Sequence, residues 1–136
     1  MNLTADSREP TDAAQARVLI LAGTTASGKT EVSIPLAESL KGEILNADSR
    51  QVYRELEIGT AKPSAEELGR VRHHFVGEKS IRERWTAGDF AREARKRIEE
   101  IVERGHVPVV VGGSMLYLRA LTDGFYHEEE VEFMGL

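Results

Sequence analysis

The feature that most constrains this chain is the octapeptide Gly23-Thr24-Thr25-Ala26-Ser27-Gly28-Lys29-Thr30, set between an apolar run and a helical apolar pattern. Its fixed positions match G-x-x-x-x-G-K-[ST]. Glycines let the backbone turn so that successive N–H groups converge on an anion. A helix that follows aims its positive end at the same point. Lys29 adds a full charge, and the Thr30 hydroxyl is a hard ligand for Mg²⁺, which bridges phosphate oxygens. Residues 23–30 are therefore read as a polyphosphate-binding loop with Mg²⁺ as cofactor. The loop alone does not say which polyphosphate. Nucleotide hydrolases and many kinases add an apolar strand ending in an acid that helps hold the metal, whereas the run Val109-Val110-Val111-Gly112-Gly113 ends without one.

The surrounding pattern is that of an α/β fold. Val18 to Ala22 is a short continuous apolar run, as in strands buried on both faces of a parallel sheet. Val32, Ile34, Leu36, Ala37 and Leu40 follow at helical spacing, with Pro35 inside the pattern, and Gly42 is read as the helix stop. Glu43 to Ala47 reads as a second strand closed by Asp48, and residues 49–62 as loop. Ser64 with Glu67, and Thr86 with Asp89, are helix-start signals. A short strand is expected at His74-Phe75-Val76. The longest helix runs from Thr86 to a stop at Gly105, a third clear strand spans Val107 to Val111, and a last helix, capped by Ser114, runs to Gly124. Strand and helix in alternation predict a three-layer fold of the phosphate-loop type with a parallel sheet. Three segments are expected: a disordered leader at 1–16, the α/β core at 17–124, and an acidic tail at 125–136 with no element of its own.

Asp48 stands at the carboxyl end of a strand, where open α/β sheets place their sites. On spacing alone, a metal ligand, a general base and a turn-forming Asp are all open. The wider string Asn46-Ala47-Asp48-Ser49-Arg50-Gln51-Val52-Tyr53-Arg54, continued by Ile58-Gly59-Thr60-Ala61-Lys62-Pro63, resembles the tRNA dimethylallyltransferases. That family carries D-S-R-Q-V-Y and I-G-T-A-K-P runs after a G-P-T-A-S-G-K-T loop, in which Thr24 here replaces the Pro. Arg72-His73-His74-Phe75, Thr86-Ala87-Gly88-Asp89-Phe90, and Gly105 to Leu118 continue the likeness in order, so that it covers about Val18 to Gly124.

The resemblance implies transfer of a dimethylallyl group from dimethylallyl diphosphate to N6 of an adenosine beside the tRNA anticodon. Under it Asp48 is the general base, and Thr25 and Lys29 assist departure of the diphosphate. Gly23, Thr24, Thr25, Ala26, Ser27, Gly28, Lys29 and Thr30 bind the donor, with Mg²⁺ near Thr30. Asp48, Ser49, Arg50, Gln51 and Ser114 contact the tRNA, Ser114 standing where the family has Thr. Family members are longer, and their further segments supply an arginine on the diphosphate and most of the tRNA grip. An incomplete fold, retained donor binding and impaired turnover are therefore expected. The alternatives are an ATP-using kinase-like protein and an inactive diphosphate-binding remnant.

Composition narrows the setting. The absence of cysteine excludes disulfides, thiolate zinc sites and cysteine nucleophiles. No apolar window is long enough for a membrane span, and the polar N-terminus lacks a secretory pattern, so a cytoplasmic monomer is expected. The net charge of −5 places any RNA-binding surface on a local patch or outside this segment. His73 and His74 are read as structural. Arg92, Arg95, Lys96 and Arg97, alternating with Glu93, Glu99 and Glu100, are read as a solvated helix face, and Trp85 as a packing residue.

Overall fold

Three short apolar runs, at 17–22, 42–46 and 107–112, are buried along most of their length, and their pairing organises the molecule. The structure is a computed structural model that describes residues 17–23, 29–56, 63–123 and 130–135, with the backbone alone at 29–30 and 130–135. Strands β1 (Arg17–Ala22), β2 (Gly42–Asn46), β3 (His73–His74), β4 (Val107–Gly112) and β5 (Glu130–Gly135) form one sheet in the order β3-β2-β4-β1-β5. Every pairing is parallel. Helices α1 (Lys29–Leu40), α2 (Ala65–Arg70), α3 (Ala87–Glu103) and α4 (Met115–Thr122) make the connections.

Alternation along the strands sends side chains to two cores, giving three layers. Leu19, Leu21, Ile44, Val109 and Val111 face Ile34 and Ala37 of α1. Val18, Ile20, Leu45 and Val110 face Phe90, Ala94, Ile98 and Ile101 of α3 and Tyr117, Leu118 and Leu121 of α4. The second core is the larger. Its aromatic spine is Trp85, Phe75, Phe90 and Tyr117, with successive ring centroids 6.1, 5.3 and 4.7 Å apart. Trp85 thus packs on Phe75, as its sequence context implies.

Both expected helix starts are complete capping boxes, Ser64 with Glu67 and Thr86 with Asp89. Gly105, at φ +83°, takes the left-handed turn that ends α3. Pro35 is the seventh residue of α1, exposed on its outer side.

Several expectations are corrected. Gly42 does not stop α1: Lys41 takes the positive φ of 56°, and Gly42 opens β2. The glycine is needed for space, since a Cβ there would lie 2.9 Å from the Val107 carbonyl oxygen. The strand expected at 74–76 is β3 at His73–His74, because Phe75 at φ 70° leaves the extended region. Ser114 is the N-cap of α4 but makes no side-chain cap bond. The stretch 125–136 is not without an element: residues 130–135 form β5, paired with β1 from Arg17↔Glu130 to Ala22↔Gly135. The leader at 1–16 and Gly124 lie outside the described residues. Among the described residues, no helix is long and apolar enough to cross a membrane.

Candidate active site

Parallel pairing brings the carboxyl ends of β1, β4 and β2 to one edge, and short backbone contacts bind them there. The Gly23 N–H donates to the Gly112 carbonyl at 3.2 Å. The Ala47 N–H donates to Val111 at 2.7 Å, and the Ala47 carbonyl accepts from the Ser114 N–H at 3.3 Å. Gly112 lies so close to Ala47 that a Cβ on it would stand 2.2 Å from the Ala47 carbonyl oxygen. The glycine at the end of β4 therefore permits the close approach of two strand ends. It also places Ser114 one residue from Asp48.

Asp48 is half-buried at this edge. Its Oδ1 accepts the Arg50 N–H at 2.8 Å and the Gln51 N–H at 3.2 Å. The turn-forming role left open by the sequence is real, and it orients the carboxylate by one oxygen. Residues 51–54 are held from the far side by the segment after β3. Gly77 N–H donates to Gln51, Lys79 N–H to Val52, and Arg54 N–H to Lys79, at 2.8, 2.9 and 2.8 Å. Asn46 Nδ2 adds a bond to the Phe75 carbonyl at 3.2 Å. Ser49 and Arg50 are exposed, while Gln51 is buried.

Of the residues expected to bind the diphosphate, Gly23 ends the β1 crossing, and Lys29 and Thr30 are the first two residues of α1. Thr24, Thr25, Ala26, Ser27 and Gly28 lie outside the described residues. Ser114, Gly23 and the Asp48–Gln51 turn are brought to the same edge. Tyr117 is a residue that sequence reading passed over. It is buried and stacked on Phe90, and its phenol is pushed up to about 12, first by burial and then by the fields of Tyr53, Asp48 and Asp89. A neutral hydroxyl thus lies within electrostatic reach of Asp48.

Beneath the site a polar network fixes the edge of the sheet. Glu43, 2 % exposed, accepts from His74 Nε2 at 2.8 Å, from Arg104 Nε and Nη2 at 2.9 and 2.7 Å, and from His106 Nδ1 at 2.7 Å. Burial opposes its charge, but the Arg104, His74 and His106 donors prevail and hold the carboxyl at about 2. Arg97 Nη1 approaches His74 Nδ1 at 3.3 Å and makes a two-pronged pair with Glu78 at 2.9 and 2.8 Å. Glu78 in turn accepts the Phe75 N–H at 2.8 Å. Arg97 therefore belongs to the interior side of α3, over the Phe75 ring at 4.4 Å, and not to a solvated face. Among the described residues, no cluster of three or more His, Cys, Asp or Glu side chains is arranged to hold a metal.

A parallel three-layer sheet with a phosphate-loop sequence after β1 and an acidic turn after β2 defines a protein of the phosphate-loop α/β class. The family model described as IPP transferase matches residues 51–133, reaching into the stretch expected to lie outside any family likeness. The chain belongs to the IPP transferase family. It is 51% identical over 122 residues to a tRNA dimethylallyltransferase of Pelodictyon phaeoclathratiforme, covering 90% of this chain and 36% of the relative. Another tRNA dimethylallyltransferase, from Salinibacter ruber, is 51% identical over 115 residues, covering 85% and 36%. The crystal structure of the tRNA isopentenylpyrophosphate transferase of Bacillus halodurans superposes with a TM-score of 0.75 at 44% identity, covering 82% of this chain and 36% of that one. A eukaryotic dimethylallyltransferase acting on tRNA gives 0.75 at 36% identity, covering 83% and 28%. The chain thus spans about a third of the length of the relatives it matches.

Proposed function

We propose that this chain forms the donor-binding and base-bearing part of an enzyme that transfers a dimethylallyl group from its diphosphate to N6 of an adenosine next to the tRNA anticodon. The observation that carries this reading is the convergence of Gly23, the Asp48 turn and Ser114 at one sheet edge. A diphosphate at the α1 N-terminus and an adenine beside Asp48 would then meet across a short crevice.

The chemistry asks for two things. Negative charge builds on the departing diphosphate, and the N–H groups of residues 24–28 together with Lys29 would receive it, with the Thr25 hydroxyl near the breaking C–O bond. The exocyclic amine loses a proton as the C–N bond forms, and Asp48 would accept it. Ser49, Arg50, Gln51 and Ser114 would contact the RNA around the target base. That base leaves its stack in the anticodon loop to reach the crevice. The hydroxyl of Thr30 and the donor's own oxygens would supply the all-oxygen set that suits Mg²⁺. When bound, the ion would neutralise charge on the diphosphate. The proposed setting is the cytoplasm, with the protein acting as a monomer.

The test is thermal unfolding with Mg²⁺, comparing dimethylallyl diphosphate with ATP, followed by transfer of labelled prenyl group to tRNA. A ligand at 100 times its Kd adds about 2.7 kcal/mol, a shift of several degrees for a small domain. A shift with the prenyl donor and none with ATP supports the reading. A shift with ATP alone sinks it in favour of a kinase-like protein, and donor binding without any transfer assigns the chain to the binding remnant.

A further inference from the structure

Next to the 51–54 segment, which Lys79 joins, lies an open polar groove of about 330 Å³. Its walls carry four cations, Lys79, Arg84, Arg92 and Lys96, and two acids, Asp89 and Glu93, around Trp85. Both acids are already engaged. Asp89 closes the α3 capping box and pairs with Arg92, and Glu93 lies 3.5 Å from Arg97 Nε. Arg92 is thus engaged with Asp89, and Lys79 lies 3.8 Å from Glu83, so the positive charge of the groove rests mainly on Arg84 and Lys96, in a chain of net charge −5. Lys79 Nζ stands 4.5 Å from the centre of the Trp85 ring, so cation and aromatic surface are presented together.

The groove is tied to the site by backbone. Lys79, on its wall, bonds to Val52 and Arg54, immediately after the Asp48–Gln51 turn. The first turn of α3, which carries Asp89, lies on the same carboxyl side of the sheet, and Tyr117 feels the charges of both Asp48 and Asp89. A polyanion that delivers a base to Asp48 would continue into this groove.

Resting on the function proposed above, we infer that the Lys79–Trp85–Lys96 groove is a second RNA contact, which holds the sugar-phosphate backbone of the acceptor beside the target nucleotide by charge and by the Trp85 ring, without reading sequence. Cations paired loosely or not at all can exchange water and salt ions for phosphates, and the counterions released make the binding salt-dependent. An aromatic edge beside them suits a flexible single-stranded loop better than a rigid duplex.

Trp85 is the chain's sole tryptophan, so its fluorescence reports on this groove directly. The experiment titrates an RNA anticodon stem-loop into the chain and into an Arg84→Ala/Lys96→Ala variant over a range of salt concentrations, with sodium tripolyphosphate as a parallel arm. A dimethylallyl diphosphate thermal shift serves as the control that the variant is folded. The expected result is a change in Trp85 emission on RNA binding, with affinity roughly tenfold weaker in the variant. The salt slope should fall by about 0.7 for each phosphate that the variant no longer neutralises, equally for stem-loops of different loop sequence. RNA binding by the unaltered chain that the two substitutions leave unchanged would overturn the groove while leaving the proposed function standing. Tripolyphosphate binding as tightly as RNA, with the same emission change, would make it a small-anion site instead. Donor binding with no RNA affinity at all would overturn both the groove and the acceptor assignment.

Discussion

At the scale of single residues, two positions at the carboxyl edge of the sheet separate chemistry from architecture. Asp48 is bound to its own turn through Oδ1. Asn at 48 keeps an oxygen for that turn but cannot take a proton. On the proposed reading, Asp48→Asn lowers prenyl transfer by about 10²–10⁴-fold, while the donor-induced thermal shift stays and stability changes by less than about 1 kcal/mol. Equal losses of stability and transfer would reduce Asp48 to a turn former. Gly112 is the opposite case. A methyl group there would meet backbone atoms of Ala47 at 2.2, 2.5 and 2.8 Å, none of which can rotate away. Gly112→Ala should destabilise the fold by about 3 kcal/mol or more, the upper range for overpacking, and move Ala47 and Asp48 away from Ser114. A melting temperature within about 2 °C of the unsubstituted chain's, where a cost of that size implies a shift of several degrees, would contradict this close approach.

At the scale of elements, the local signals were readable and the long-range ones were not. Thr86 and Asp89 mark the start of α3 in the sequence, and both bonds of the box are present. Thr86→Ala should cost about 1 kcal/mol in urea unfolding. The Glu43 network was invisible, because its partners lie 31 to 63 residues away and a glutamate opening an apolar run carries no sign of them. Gly42 was misassigned for a similar reason: its neighbour Val107 comes from another strand. The site was legible as strings of residues, but Tyr117 was not, since its role follows from stacking on Phe90 and not from spacing.

The same network predicts a pH response. Burial first, and then the Arg97 guanidinium facing Nδ1, hold His74 below 6.5, against the pull of Glu43; Arg72 also faces the pair. His73 is likewise lowered by burial. A histidine lowered in the folded state takes up protons more readily when unfolded, so stability falls as pH drops below 6.5. Glu43, lowered from 4.5 to about 2, contributes stability that is present above 4.5 and lost as pH falls toward 2. Urea unfolding followed from neutral pH down into the acid range should therefore show a decline in two stages. His74→Gln should shrink the upper stage and Glu43→Gln the lower one. An unchanged profile in both variants would mean that the network does not titrate with folding.

At the scale of the whole molecule, residues 130–135 form one edge of the sheet built by the described residues. Residues 130–135 lack the apolar run of the inner strands: Glu130 and Glu132 interrupt it, as suits an edge strand. A strand of that polarity carries no continuous apolar run to mark it in the sequence. Its position makes it consequential, because β5 covers β1, whose Val18, Ile20 and Leu21 are fully buried and whose end leads into the phosphate loop. Removing β5 would turn a strand with four buried apolar residues into an open edge with an unpaired row of N–H and C=O groups. Six residues of lost ladder, at about 0.5–1.5 kcal/mol for each hydrogen bond, amount to several kcal/mol, against a total stability of about 5–15 kcal/mol for a domain of ordinary stability. A chain ending at residue 124 should melt well below the 136-residue chain, associate in a concentration-dependent way through β1, and lose the thermal shift given by dimethylallyl diphosphate. If it instead remains monodisperse and keeps that shift, β1 is secured by β4 and the two cores alone, and β5 contributes nothing to donor binding.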